Sequence, residues 1–176
     1  AEVPQALWLD LCERDRIPVI GITHDRRKCF DLIKAPFVVQ LLDAIGLPDH
    51  VVNGILGRYA CQVRFFKVFS SCGPTFASQS LLQGCPMSVL ACNSLFSILA
   101  RRILRFFPRV DVTFFVDDSK LRGRLSDLHD LKGACEEFHR FDGLSGQQLN
   151  GKKCRAFGTT SEARRAARAL LPPDGC

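Results

Sequence analysis

The sequence predicts an α+β fold, an antiparallel sheet with helices packed on one face, and three observations carry that prediction. Short runs rich in β-branched and aromatic residues are interleaved with longer stretches whose apolar residues recur at helical spacing. Two of the apolar runs stop at aspartates, one at Asp25 and the other at the pair Asp117 and Asp118. With 176 residues, 47% hydrophobic and 24% charged, the chain suffices for one domain with an ordinary core. Disorder, collagen and coiled coil are thereby excluded as descriptions of the whole.

Residues 17–23 (IPVIGIT) form a short apolar run, the pattern of a buried strand ending at His24 and Asp25. Pro36 opens a helix in which Phe37, Val38, Leu41, Leu42 and Ile45 recur at helical spacing until Gly46, and a second helix runs from Pro48 to about Tyr59. Residues 62–69 alternate loosely and are rich in Val and Phe, which suits a strand, and Gly73 with Pro74 marks the turn into another. From Ser88 to about Phe106, Leu90, Leu95, Ile98, Leu99 and Ile103 predict a long helix, whose basic end at Arg101, Arg102 and Arg105 suits the helix dipole. Residues 110–116 (VDVTFFV) read as a strand, with residues 119–121 returning as its hairpin partner. The next helix starts near Ser126 and Asp127, with Leu128, Leu131, Cys135 and Phe138 on one face. After residues 143–146 a last short strand is expected near residues 153–157. No repeat or linker interrupts the chain, so it reads as one continuous domain over residues 1–158, followed by a basic tail, residues 159–176.

A formal charge of +6 and a pI near 9.0 suit a phosphate-rich partner without identifying it. The most apolar stretch, from Val89 to Leu104, is broken by Asn93, Ser94, Ser97, Arg101 and Arg102, so no membrane span is expected and the chain should be soluble. Nine cysteines, an odd number with no CxxC pair, point to reduced thiols in a nuclear or cytoplasmic setting and away from a disulfide framework or zinc knuckle. The four histidines have no ligand spacing and read as structural. Because the first residue is Ala1, the sequence is expected to be a piece of a longer polypeptide.

The chemistry signal lies in the carboxylates. Asp117 and Asp118 are adjacent like charges at the end of an apolar strand, costly if buried without partners and tolerable at a turn where a divalent cation neutralises them. If the strand that ends at Asp25 is a neighbour, all three carboxylates converge. Hard oxygen ligands of this kind suit Mg2+ or Mn2+, and two such ions drive in-line phosphoryl transfer. On the residues alone, a solvated hairpin turn is the better explanation of an Asp-Asp pair.

Four segments, in order, resemble the motifs of the reverse transcriptases, in particular those of non-long-terminal-repeat retrotransposons and group II introns. Residues 25–31 (DRRKCFD) resemble the first motif, an Asp followed by an aromatic and a second Asp. Residues 83–88 (QGCPMS) are similar to the QGxPxS segment that opens a long helix, and residues 115–118 (FVDD) to the aromatic-x-Asp-Asp hairpin. Residues 143–154 (GLSGQQLNGKKC) look like the segment that follows, ending in a lysine. The resemblance spans about residues 19–157 and implies a palm-like, ferredoxin-like sheet and an RNA-directed DNA polymerase, a nucleotidyltransferase acting on RNA template, DNA primer and deoxynucleoside triphosphate. It implies that Asp25 and Asp117 bind two Mg2+ ions, replaceable by Mn2+, with Asp118 as the third carboxylate. Phe30 would lie under the incoming sugar and exclude a 2'-hydroxyl, Gln83 and Gly84 would line the nucleotide and template pocket, and Lys153 would approach the triphosphate. Asp31 reads as a helix cap, and Arg26, Arg27 and Lys28 as basic surface.

Departures from the family pattern are His24, where an apolar residue is usual, and Val89, where a proline is frequent. With 24 residues before Asp25 and 23 after Lys153, the fingers and thumb of such an enzyme are expected to lie outside this sequence, and residues 159–176 could begin a connection to the thumb. Three other readings stay open: a viral RNA-dependent RNA polymerase palm, in which the turn usually reads Gly-Asp-Asp; a nucleotide cyclase of palm-like topology, which leaves QGCPMS unexplained; and a decayed or co-opted palm that only binds nucleic acid or protein.

Overall fold

The structure, a computed structural model, describes residues 5–60, 62–68, 71–77 and 80–171. In chain order its elements are α1 (Gln5–Arg14), β1 (Val19–His24), α2 (Cys29–Leu32), α3 (Ala35–Ala44), α4 (Asp49–Ala60), β2 (Val63–Val68), β3 (Ser71–Ala77), α5 (Pro86–Phe106), β4 (Asp111–Phe115), β5 (Asp118–Arg124), α6 (Leu128–Ser145), β6 (Arg155–Gly158) and α7 (Ser161–Arg168). The chain divides into two compact units, Ala1–Arg27 with Phe96–Cys176, and Lys28–Leu95.

The first unit is built on a four-stranded sheet in the order β4-β5-β1-β6, every neighbouring pair antiparallel. β1 is central, bonded on one edge to β5 and on the other to β6. Side chains alternate between faces along each strand, and partners directly opposite share a face. Ile22 therefore lines up with Leu121 and Ala156, and His24 with Ser119. This row faces a core completed by Leu99 and Ile103 of α5, Leu131, Ala134 and Phe138 of α6, and Ala163 and Ala167 of α7. The helices thus cover one face of an antiparallel sheet, as the sequence pattern predicts.

Strand β5 is longer than the three residues expected, and the sequence pattern predicts neither α1 nor α7. The chain after β6 forms α7, capped by the Thr160 hydroxyl, which accepts from Ala163 N at 3.1 Å. Its buried side consists of alanines, so the helix backbone comes close to β6. A Cβ on Gly158 would lie 2.5 Å from the Arg164 nitrogen. α5 is long and apolar enough to cross a membrane by length and composition, yet Ala91, Cys92, Leu95, Phe96, Leu99 and Ile103 are buried within the fold.

In the second unit, α3 and α4 form close to their expected bounds, and β2 pairs with β3 as a two-stranded sheet. Gly73 and Pro74 lie inside β3 and not at a turn, and the end of the expected strand, at residue 69, lies outside the described residues. Both strands here are edges, so a proline lacking an amide proton forfeits little. The register shifts between Phe65 and Lys67, opposite Gly73 and Pro74, where one extra residue bulges out of β3. At the start of α5 the Tyr59 hydroxyl and Ser88 Oγ are 2.7 Å apart, and a hydrogen bond from Tyr59 brings the Cys85 thiol down to about 7.

Two expectations follow for stability. Gly158→Ala should cost about 1–3 kcal/mol, since the atoms it meets are backbone and cannot swing away; urea denaturation of the two proteins measures it. His24 is 1% exposed and stacks on Phe138 at 4.8 Å, and neither ring nitrogen has a hydrogen-bond partner among the described residues. Burial, helped by Arg26 and His139, pushes its pKa down to about 3. Unfolding frees the ring to take a proton below its ordinary value of 6.5, so the contribution is full above that pH and is lost as pH falls toward 3. At pH 5 the loss is about 2 kcal/mol. His24→Phe should lose that much less stability between pH 7 and pH 5 than the unaltered chain.

Candidate active site

The other face of the sheet holds the aspartates. Continuing the pairing of His24 with Ser119 by one residue sets Asp25 opposite Asp118, on the face that also carries Thr23, Lys120 and Thr113. A cavity of 520 Å³ opens there, lined by Asp25, Asp118, Lys153, Phe115 and Lys120 among others. Two carboxylates from distant stretches of chain meet because two strands share a register.

The hairpin between β4 and β5 is tight. Val116 sits at φ 57, a left-handed conformation that costs a β-branched residue on the order of 1–3 kcal/mol. Asp117 follows in the turn and is not among the cavity-lining residues, whereas Asp118 opens β5. The Asp118 carboxyl is raised above its ordinary range, first by burial and then by repulsion from Asp117 and Asp25, with Lys153 and Arg26 pulling against them. Lys153 Nζ stands 3.8 Å from Asp25 Oδ1, largely exposed, a pairing that contributes little to stability. The Asp25 carbonyl accepts from Asn150 N at 2.8 Å, and Arg27 N donates to the Gln148 carbonyl at 2.8 Å, so the loop leading to Lys153 is stitched to the Asp25 segment.

Arg26 corrects the expectation of a basic surface. Arg27 and Lys28 are exposed, but Arg26 is 3% exposed and turns into the core. Its Nε donates to Asp142 Oδ1 at 3.0 Å, and its Nη1 to the Asp117 carbonyl at 3.1 Å and to Ser119 Oγ at 3.2 Å. The guanidinium lies 4.3 Å from the Phe96 ring centre and 5.4 Å from that of Phe138. Removing one member of so buried a pair costs about 3–5 kcal/mol, because the other charge is left without compensation. Both residues carried a signal in the sequence: Arg26 continues the inward row Ile20, Ile22, His24, and Asp142 follows Leu131, Cys135 and Phe138 on the buried stripe of α6.

Of the remaining expected site residues, Phe30, Gln83 and Gly84 belong to the second unit. Phe30 is half-buried in α2, and its carbonyl accepts from Leu81 N at 3.1 Å, which joins the first motif to the segment entering the second. Gln83 is exposed, and Gly84 takes φ 80, a conformation that favours glycine. Asp31 lies in the first turn of α2, whose N-cap position is occupied by Lys28, so it is no cap residue.

Among the described residues no group of three or more His, Cys, Asp and Glu side chains is gathered tightly enough to hold a metal ion. The donor set nevertheless fits a hard divalent cation in its chemistry: carboxylate oxygens of Asp25 and Asp118 share one cleft, and their mutual repulsion is what a cation relieves.

The chain is similar in fold to solved telomerase structures. It aligns with telomerase from Candida tropicalis in complex with a fragment of telomeric RNA (TM-score 0.65, 13% identity, covering 91% of this chain and 30% of that one). It also aligns with the apo enzyme of the same organism truncated from its C-terminal domain (TM-score 0.61, 14% identity, 89% and 36%), and with telomerase from Candida albicans with an RNA fragment (TM-score 0.56, 12% identity, 89% and 29%). The chain spans about a third of the length of these proteins. At such identities the likeness speaks for a palm-like fold. The sequence profile of the family described as reverse transcriptase (RNA-dependent DNA polymerase) matches residues 5–164. That span contains the paired β1 and β5, both aspartate segments and Lys153, and the chain belongs to the reverse transcriptase family.

Proposed function

We propose that the chain is the palm of a retroelement reverse transcriptase, an RNA-directed DNA polymerase that extends a DNA primer on an RNA template from deoxynucleoside triphosphates. The observation that carries this reading is the meeting of Asp25 and Asp118 in one cleft beside Lys153. The retroelement assignment rests on the QGCPMS segment and its order among the other motifs. In this reading Asp25, Asp117 and Asp118 hold two Mg2+ ions, which when bound supply activation of the primer 3'-oxygen and neutralisation of charge on the leaving pyrophosphate.

The chain's own residues do the rest. Asp25 and Asp118 are kept at the ends of paired strands, so little reorganisation is needed when cations arrive. Lys153 exchanges its contact with Asp25 for the triphosphate, where its proton-bearing Nζ offsets negative charge. Phe30 is the sugar-discriminating residue, and Gln83 and Gly84 contact the nucleotide and template; these three roles rest on the resemblance of their motifs to the family. Fingers and thumb belong to the parent polypeptide and supply the grip on template and primer.

Titration calorimetry with Mn2+ tests the metal reading. The unaltered chain should bind, and Asp117→Asn and Asp118→Asn should each weaken binding by at least about tenfold. Heat-silent titrations would leave a palm that only binds nucleic acid or protein. In a chimera that restores fingers and thumb, Phe30→Ala should raise ribonucleotide incorporation by about tenfold or more while deoxynucleotide use stays largely intact. Unchanged sugar discrimination would reduce Phe30 to a packing residue.

A further inference from the structure

We propose that Arg26 is a positioning residue: its guanidinium, anchored on Asp142 and held close to the Phe96 and Phe138 rings, fixes the turn that carries Asp117 and Asp118 at the level of Asp25. The inference rests on the metal-binding reading of those carboxylates.

The contacts are unusual for a residue that serves the core alone. Arg26 adjoins Asp25 in the chain, and its backbone is bridged to Leu149, so its starting point is tied to the first carboxylate. Its far end grips the second. Nη1 bonds the carbonyl of Asp117 and the hydroxyl of Ser119, the residues on either side of Asp118. One side chain therefore spans from the Asp25 segment to both flanks of Asp118.

That turn needs a grip. Val116 is in a left-handed conformation, and a strained turn relaxes unless its surroundings over-determine it. The Asp117 carbonyl follows immediately and is bonded to a cation that is itself anchored through Nε on Asp142 and lies close to the two rings. Phe114, the residue opposite Ser119 in β4, stacks on the same rings with centres 5.6 Å from each, so the hairpin and the guanidinium share one aromatic support. A lysine could keep the charge but not the fork, because a single ammonium cannot present a rigid plane to Asp142 and the turn together. Ser119, 3% exposed, has a hydroxyl suited to accept from this donor.

A purely structural ion pair and a positioning one predict different results when both charges are removed. Replacing a buried pair by apolar residues of similar volume commonly preserves stability, so the double variant Arg26→Met with Asp142→Leu should unfold near the midpoint of the unaltered chain. Its Mn2+ affinity, read by calorimetry and by the Mn2+ electron paramagnetic resonance signal, should fall about tenfold or more. Ser119→Ala, which deletes a single contact to the turn, serves as a second variant should the double variant not fold, and should weaken Mn2+ binding several-fold with little change in unfolding midpoint. Mn2+ affinity in Ser119→Ala and in a folded double variant equal to that of the unaltered chain overturns the positioning role alone. Failure of the unaltered chain to bind Mn2+ overturns the metal reading and this role with it.

Discussion

The arrangement of the first unit depends on the hydrogen bonds along both edges of β1. A six-residue strand pairs with β5 on one side and with β6 on the other, each antiparallel. Because side-chain direction alternates strictly, these two registers decide together which residues meet in the core and which meet in the cleft. Ile20, Ile22 and His24 point to the helices, and Thr23 and Asp25 to the cavity. A slip of one residue in the β1–β5 pairing would turn Asp118 away from Asp25 and Leu121 away from Ile22. The apolar row that keeps the core closed is thus the same constraint that keeps two carboxylates side by side.

Bringing like charges together has to be offset locally. The raised Asp118 carboxyl records the cost, and Lys153 from the loop before β6 and Arg26 from the core face supply opposite charge. The two cations differ in kind. Lys153 is largely exposed to solvent, whereas Arg26 is enclosed and bonded at three acceptors. The site thus has one exposed counter-charge and one that is built into the core.

Most strands and helices were legible because apolar periodicity is strong where large side chains are buried, as in β1, α5 and α6. The candidate carboxylates were legible because they end such runs. α7 was missed because its buried face is made of Ala163 and Ala167, which raise no apolar signal among Arg164, Arg165 and Arg168. The Gly73 and Pro74 pair signals a turn because those residues favour turns generally, while in a two-stranded sheet with a bulge they fit the strand. The charge of Arg26 and of its neighbours points to the surface, whereas its position as the continuation of the inward row Ile20, Ile22, His24 points to the core, and the periodicity is the better guide. The tie between Arg26 and Asp142 joins residues far apart in sequence, and a single sequence offers no local sign of such pairings.

The central position of β1 has a consequence for how the molecule comes into being. Both of its partners, β5 and β6, lie far downstream of it, with all of Lys28–Leu95 translated in between. At ordinary elongation rates the ribosome takes on the order of 5–20 s to reach β5. Throughout that interval an apolar strand has two bare edges, the condition in which nascent chains stick to one another and recruit chaperones. The face that carries Asp25 and Asp118 is assembled only when β5 and β6 fold back on β1, a late, long-range event, and the yield of folded protein depends on how well β1 is shielded while it waits.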